Sequence, residues 1–359
     1  MNFLNYLVEQ QPLLGAIISL LLFIGTYQLG NLILKIKLVN QIFNDISEID
    51  YLKSGIGIIF LIIFLNPIVL FFPFSKEILI FTTYILLILG IISLSKINKN
   101  IIILREFSKL NFRNFYKENY LIPLLLVFLL LISLSPTTDA DSLGYHLKVG
   151  KYIAKYGFFP ENIFHFHERL SGPGEILIAI GILVGATSFG SFIQSSGLLI
   201  LYGIFKKFKK KHDLSEIYFL VLITAPIIFF FSTTLKPQLF FVCSSLIVFA
   251  FIFFDNPEDR SKSKNIFKLL FSLSIIAIAT QVKFSFVLGG FCLFILLFFK
   301  SKTNKILKNF FLISIIVFLF VIFPQMLWKY LNFDFNFFQQ LISPVPLNIP
   351  GMDFFYLYL

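Results

Sequence analysis

Uninterrupted apolar stretches long enough to cross a membrane recur along almost the whole of this chain of 359 residues. The runs are continuous, whereas the strands of a membrane β-barrel would alternate apolar and polar residues. Because a spanning helix needs about 20 apolar residues, the pattern predicts an all-α, multi-pass transmembrane bundle of about 10–11 hydrophobic helices. Charged residues make up only 14% of the chain, which excludes an ordinary soluble domain. Candidate spans lie near 12–34, 56–73, 77–97, 120–135, 173–189, 191–205, 216–232, 238–254, 266–281, 284–299 and 309–328.

The basic residues indicate how these spans are oriented. Five loops, which we assign to the cytoplasm, contain 22 of the 30 Lys and Arg residues: 35–55, 96–119, 206–215, 255–268 and 300–308. The positive-inside rule then puts 136–172, 233–237, 281–283 and everything after 328 on the outer face. Topology therefore explains the net charge of +11, and we expect no nucleic-acid partner. The chain is predicted to lie in a bacterial inner (plasma) membrane with its functional face towards the periplasm or exterior.

Residues 173–205 do not fit this topology simply. They must cross the membrane an odd number of times, yet their pattern is that of two short apolar helices. We interpret one of the two as a half-buried or interfacial helix. The chain as a whole is divided into an N-terminal extension of three spans, 1–119, and a second membrane domain, 120–359, which carries the loop 136–172.

The loop 136–172 is the longest stretch without a spanning pattern, and long loops in membrane proteins are usually functional. It begins with two carboxylates, Asp139 and Asp141, before an amphipathic helix predicted over 142–156. The helical spacing predicts one apolar face and one basic face, formed by Leu143, Leu147, Gly150 and Ala154 and by Lys148, Lys151 and Lys155 respectively. Asp141 or Ser142 is a suitable N-cap for that helix. The two carboxylates have three possible roles: a general base with a neighbour that raises its pKa, a pair holding a divalent cation beside a phosphate, or helix caps.

Other polar residues are expected on the same face. Lys236 and Lys283 each interrupt a pair of apolar spans, and a charge at that depth is either functional or reaches the lipid headgroups by snorkelling. His165 and His167 are spaced to share one side of a strand, as two zinc ligands do, but no third ligand is evident and the metal stays unknown. The residues that could line the site are Tyr145, His146, His165, His167 and Glu168.

Several of these segments, taken in order, resemble the GT-C superfamily of integral-membrane glycosyltransferases, which includes protein O-mannosyltransferases and lipid A aminoarabinose transferases. The resemblance begins with the run Asp141 to His146 and the run Tyr156 to Pro160, which are similar to the family's first outer loop and its amphipathic helix. It continues through 171–177, 277–284, 323–331 and 343–346. This chain differs in having three spans before the acidic loop and two residues between Thr280 and Lys283.

The resemblance implies an activity and roles for these residues. Such enzymes transfer a sugar from a polyprenyl-phosphate or polyprenyl-diphosphate donor to a glycan, lipid or protein acceptor, with inversion. On that model Asp141 is the general base, and Asp139 is its partner or the second choice. Lys283, with Lys236 or Arg169, neutralises the donor phosphate. The resemblance implies no particular cofactor, although a divalent cation is possible. A non-catalytic transporter or flippase for lipid-linked saccharides and an inert scaffold of the same fold stay open as alternatives.

Overall fold

The computed structural model describes residues 12–44, 46–95, 121–161, 171–253, 262–282, 286–303 and 306–333. Within these ranges the chain forms helices and turns and contains no strand. The helices are α1 Pro12–Leu34, α2 Lys37–Asn44, α3 Ile49–Phe71, α4 Ser75–Ser95, α5 Leu121–Ile132, α6 Leu147–Tyr156, α7 Gly174–Ile182, α8 Phe189–His212, α9 Ile217–Ile223, α10 Pro226–Thr233, α11 Gln238–Phe253, α12 Lys262–Val282, α13 Phe286–Thr303, α14 Leu307–Val317 and α15 Phe323–Phe333. One π-helical turn, Ser142–His146, leads into α6, and another, Phe318–Ile322, joins α14 to α15.

The prediction of an all-α, multi-pass membrane bundle is confirmed. Among the described residues, five helices are long and apolar enough to cross a membrane: α1, α3, α4, α12 and the continuous helix formed by α14 and α15. A sixth span is possible if α10 and α11, which meet at an angle of 115°, count together as one broken span. Some predicted spans are not single long helices, since 216–232 divides into α9 and α10, where Pro226 begins a new helix.

The three N-terminal spans, α1, α3 and α4, pack closely against one another and against the rest of the bundle. Gly25 of α1 lies directly against the backbone of Leu86 in α4, where a Cβ atom would come within 2.1 Å of a carbonyl oxygen. Only glycine allows two helices to approach this closely. Helix α3 packs against α1 on one side, where Gly57 lies against Gly30, and against α8 on the other, where Gly55 faces the side chain of Ile200. The predicted N-terminal extension is therefore part of the same packed structure as α8.

The segment 173–205 contains one long helix and one short helix. Only α8, with 24 residues, has the length of a full crossing, although it is not among the five helices that are both long and apolar enough. The other helix, α7, is buried in the protein along its entire length, and its interpretation as half-buried or interfacial in the membrane stays a prediction. Both its ends stay at one end of the bundle: Gly174 contacts Pro237, and the turn after α7 brings the Ser188 hydroxyl to the Leu134 carbonyl at 3.4 Å. Apolar composition is the same for burial in protein and in lipid, so the sequence does not separate the two.

The connections between helices gather at two opposite ends. At the first, which we call the lysine end, 35–48 meets 203–216: the Glu48 amide donates to the Gly203 carbonyl, and Lys210 forms an ion pair with Glu48 at 2.5 Å. At the second, which we call the loop end, the turn before α4 meets the end of α6, where the Ser75 hydroxyl donates to the Gly157 carbonyl at 2.7 Å. The lysine end contains two of the five loops that were assigned to the cytoplasm.

Candidate functional site

Asp139 caps the helical segment that carries Asp141, Tyr145 and His146. Its Oδ1 atom accepts a hydrogen bond of 2.9 Å from the amide of Ser142, three residues later, as an N-cap carboxylate does. The expectation that Asp141 or Ser142 would be the cap is therefore wrong. Asp141 lies in the first turn and makes no capping hydrogen bond with its side chain. The cap role of Asp139 leaves the Asp141 carboxylate for other contacts.

Lys236 joins the two carboxylates from a distant part of the chain. Its Nζ atom lies 2.7 Å from Oδ2 of Asp141 and 3.5 Å from Oδ1 of Asp139. The side chains of Lys236 and Asp139 are 12% and 14% exposed, whereas that of Asp141 is 56% exposed. The predicted meeting of these three residues at one face thus occurs, and it leaves one carboxylate open to solvent. We call these three residues the acidic–lysine cluster.

Two hydrogen bonds hold Lys236 in the sharp bend between α10 and α11. The side-chain amide of Gln194, in α8, donates to the Lys236 carbonyl at 2.5 Å. The backbone amide of Leu235 donates to the hydroxyl of Ser142 at 3.1 Å, which ties the bend directly to the turn after Asp139. The first bond is partly buried and the second is buried, so the bend and the turn that carries Asp141 are positioned together.

Tyr145 borders the acidic–lysine cluster on its inner side. Burial, followed by the charges of Glu175, Asp141 and Asp139, raises the pKa of its phenol well above the usual value of 10.0. Tyr145 therefore keeps its proton and serves as a hydroxyl donor throughout the physiological range. Its ring packs on the imidazole of His146, with ring centroids 3.9 Å apart.

His146 is hydrogen-bonded to the buried side chain of Glu175, a residue that we did not single out from the sequence. The Nδ1 atom of His146 lies 2.6 Å from Oε1 of Glu175, and the two side chains are only 5% and 3% exposed. The other carboxylate oxygen, Oε2, accepts the amide of Gly172 at 2.8 Å. His146, which was expected to line the site, is therefore a buried residue next to it. A carboxylate at the start of an apolar segment was a signal for Glu175, since a charge there needs a partner.

The remaining candidates fall outside the described residues. These are Lys283, Arg169, His165, His167 and Glu168. Within the described part of the chain, no group of three or more His, Cys, Asp or Glu side chains is placed to hold a metal ion.

The acidic–lysine cluster combines two chemical capabilities. A carboxylate that is half-exposed can accept a proton from a bound hydroxyl group, and an ammonium group beside it can bind a phosphate. Lys236 also lies 5.3 Å from the ring centroid of Phe230, which is 43% exposed on α10. The cluster therefore borders an apolar surface on one side and solvent on the other.

A family profile described as the DUF1420 N-terminal domain matches residues 101–359, a range that includes every residue of the candidate site. No curated protein and no solved structure matches the chain.

Proposed function

We propose that this chain, which belongs to the DUF1420 family, is a membrane glycosyltransferase. The proposed reaction moves a sugar from a polyprenyl-phosphate donor to a glycan, lipid or protein hydroxyl at the outer face of a bacterial inner membrane. The observation that carries the proposal is the contact of 2.7 Å between Lys236 and the half-exposed Asp141 at one end of a membrane bundle. On this proposal, Asp141 is the base and the neighbouring Lys236 is the cation that binds the phosphate.

In this reaction the carboxylate of Asp141 removes the proton from the acceptor hydroxyl as its oxygen attacks the anomeric carbon. The bond between that carbon and the phosphate oxygen breaks, its electron pair leaves with the carrier phosphate, and the configuration inverts. Lys236 stabilises the charge that develops on the leaving phosphate. Asp139 keeps Asp141 in place through its cap on the same turn. Lys283 and Arg169 are further candidates for the phosphate.

Donor binding would also change the state of the base. In the ligand-free protein, Lys236 is paired with Asp141. A phosphate that attracts Lys236 weakens this pair, which raises the proton affinity of Asp141 when the donor is in place. Because Lys236 already supplies a positive charge between the two carboxylates, the proposed reaction does not depend on a metal ion. A divalent cation bound by Asp139 and Asp141 is the other way in which these residues could hold a phosphate.

The polyprenyl chain is expected to approach along α9 and α10. This surface extends from near the lysine end to the bend that carries Lys236, and it exposes several large apolar side chains: Ile217, Tyr218, Val221, Leu222, Ile227 and Phe230. A lipid carrier lying on this surface would have its phosphate near Lys236 and its sugar towards Asp141.

Asp141→Asn tests the assignment of the base. Purified protein in proteoliposomes is incubated with polyprenyl-phosphate mannose, glucose, galactose or aminoarabinose and with envelope acceptors, and release of the free carrier is measured. We expect the variant to lose at least about 100-fold in turnover, since a general base contributes that much or more. Asp213→Asn is the matched control, because Asp213 lies at the lysine end in a left-handed conformation that asparagine also adopts.

Lys236→Met tests the phosphate site in the same assay. Methionine keeps the apolar stem and removes the charge, so donor binding weakens while folding is retained. Lys151→Met, on the exposed face of α6, is the control for loss of one positive charge at the same end. Normal turnover by both Asp141→Asn and Lys236→Met would eliminate the proposal.

A transporter of lipid-linked saccharides is the second candidate, and the bend of 115° between α10 and α11 favours it. Transporters often bind substrates where a helix is broken near a charged residue. The two functions differ in their need for Asp141. If Asp141→Asn retained movement of the lipid-linked sugar across the bilayer while Lys236→Met abolished it, transport would replace catalysis.

A further inference from the structure

A second polar cluster lies beside the acidic–lysine cluster, around residues 171–175. The amide group of Gln325, from α15, donates to the carbonyl of Ser171 at 3.4 Å. Gly172 lies against the backbone of Gln281 at the end of α12, where a Cβ atom would be 2.5 Å from the carbonyl oxygen. Gly172 and His146 both bind Glu175. Four separate parts of the chain therefore meet at this point.

The orientations of the two glutamine amides in this cluster are fixed by their partners. The Nε2 atom of Gln281 donates to the carbonyl of Val321 at 2.7 Å, and that of Gln325 donates to a carbonyl as well. Since a carbonyl oxygen accepts only, the NH₂ group must be on that side in each case. The Oε1 atoms of both glutamines are consequently directed elsewhere, and within the described residues both are buried without a hydrogen-bond partner.

His146 contributes a third atom of the same kind. In the contact with Glu175, the imidazole tautomer with its proton on Nδ1 donates to the carboxylate. That tautomer presents Nε2 as an acceptor, and this atom too is buried without a partner among the described residues. Within the described part of the chain, the cluster thus offers three unpaired acceptors. Buried acceptors in this state are unfavourable and are normally satisfied by a donor from outside the chain.

We propose that His146 Nε2, Gln281 Oε1 and Gln325 Oε1 bind the hydroxyl groups of the sugar carried by the lipid donor. This inference rests on the proposed function. Sugar hydroxyls donate hydrogen bonds and satisfy all three atoms, whereas a phosphate only accepts. The Glu175 carboxylate, which pairs with His146, further disfavours an anion, and Lys329 lies near enough to attract Glu175 and to disfavour a metal cation.

The position of the cluster fits this role. Tyr145 contacts the His146 ring on one side, and its phenol is within the electrostatic reach of both aspartates on the other. A sugar in contact with Tyr145 can therefore extend from the acidic–lysine cluster into the second cluster. Gln281 and Tyr145 are only partly buried, which gives access from the surface. The donor is expected to be an uncharged hexose with free hydroxyls, and a uronic acid is expected to bind more weakly.

The test compares a carrier with and without its sugar. Full-length protein in lipid nanodiscs is titrated with polyprenyl phosphate alone and with polyprenyl-phosphate mannose, glucose, galactose and glucuronic acid. In Gln325→Leu and Gln281→Leu, which keep the side-chain volume and remove the acceptor, the best hexose donor should bind about tenfold more weakly, since one lost hydrogen bond has that effect. Binding of the bare carrier should be unchanged. Gln28→Leu, whose amide pairs with Asn31 along α1, is the matched control.

The outcomes separate this inference from the proposed function. If Lys236→Met weakens both carriers and the glutamine variants weaken neither, the phosphate site stands and the sugar subsite is overturned, because the acceptors hold only water. Equal weakening of both carriers by Gln325→Leu indicates a structural effect and also overturns it. A deoxy-sugar donor that lacks the contacted hydroxyl should bind wild type and Gln325→Leu equally. A preference for glucuronic acid, or no preference for any sugar over the bare carrier, contradicts the inference.

Discussion

At the scale of single residues, Glu175 has the largest expected effect on stability. It accepts hydrogen bonds from the Gly172 amide and from His146, and all of these groups are buried. Glu175→Ala leaves both donors without an acceptor, which should destabilise the protein by about 1–3 kcal/mol for each donor. Thermal unfolding in detergent measures this change. Glu175→Gln keeps one acceptor oxygen and should lose clearly less, so equal melting temperatures for the two variants would contradict the assignment.

Tyr145 should make the stability of the protein sensitive to alkaline pH. Its folded-state pKa lies above the usual value of 10.0, so the unfolded chain loses this proton first as the pH rises. The stabilisation is complete below pH 10.0 and is lost progressively above it. Melting temperatures measured from about pH 8 to about pH 11 should therefore fall less steeply for Tyr145→Phe than for wild type. Tyr156→Phe, an exposed tyrosine on the same helix, should follow the wild-type slope.

At the scale of elements, the end of α6 depends on one glycine. Gly157 ends the helix with φ at +91°, and a Cβ atom there would lie 2.6 Å from the amide nitrogen of Lys76. Gly157→Ala should therefore destabilise the protein by about 1–3 kcal/mol through backbone strain and a steric clash. Gly144→Ala is the matched comparison, because no atom lies within 4 Å of its Cβ position. It should be neutral or slightly stabilising, as alanine is in helices, and similar losses for both would exclude this explanation.

Helix α6 and the π-helical turn before it show which parts of the fold the sequence could predict and which it could not. Three basic residues on the exposed side of α6 were recognised from their spacing, since a helix repeats every 3.6 residues. Leu143, however, was expected on the apolar side and is exposed, because the π-helical turn at 142–146 shifts the register by one residue. The sequence contains no signal for such a turn. Tertiary contacts stabilise this wider helical turn. Here they are the Ser142 contact with Leu235 and the His146 contact with Glu175.

The acidic–lysine cluster was more predictable than the buried pair. Asp139 and Asp141 open the longest polar loop, Lys236 interrupts a pair of apolar spans, and the distribution of basic residues put all three on one face. The partner of His146 could not be found in this way. Glu175 lies 29 residues away, and their contact depends on how α7 folds back beneath α6, which no local pattern encodes.

At the scale of the whole molecule, the two ends of the bundle differ in charge in the way that a fixed orientation requires. The lysine end includes the basic run 206–211 beside 35–48, whereas the loop end includes the acidic–lysine cluster. Basic residues stay on the cytoplasmic side during insertion. A donor with its sugar on the outer leaflet can therefore reach Asp141 only if the loop end faces outward, which makes orientation a condition for the proposed reaction.

This orientation can be tested by labelling with a membrane-impermeant maleimide in a Cys292→Ser background, where the remaining Cys243 is buried. Lys151→Cys, exposed at the loop end, should react in intact cells. Lys211→Cys, exposed at the lysine end, should react only after the membrane is permeabilised. Because the two positions lie at opposite ends of one bundle, the labelling patterns must be complementary. The reverse pattern would turn the acidic–lysine cluster towards the cytoplasm, where a donor presented on the outer leaflet cannot reach it, and the proposed reaction would have to be abandoned even if Asp141 proved essential.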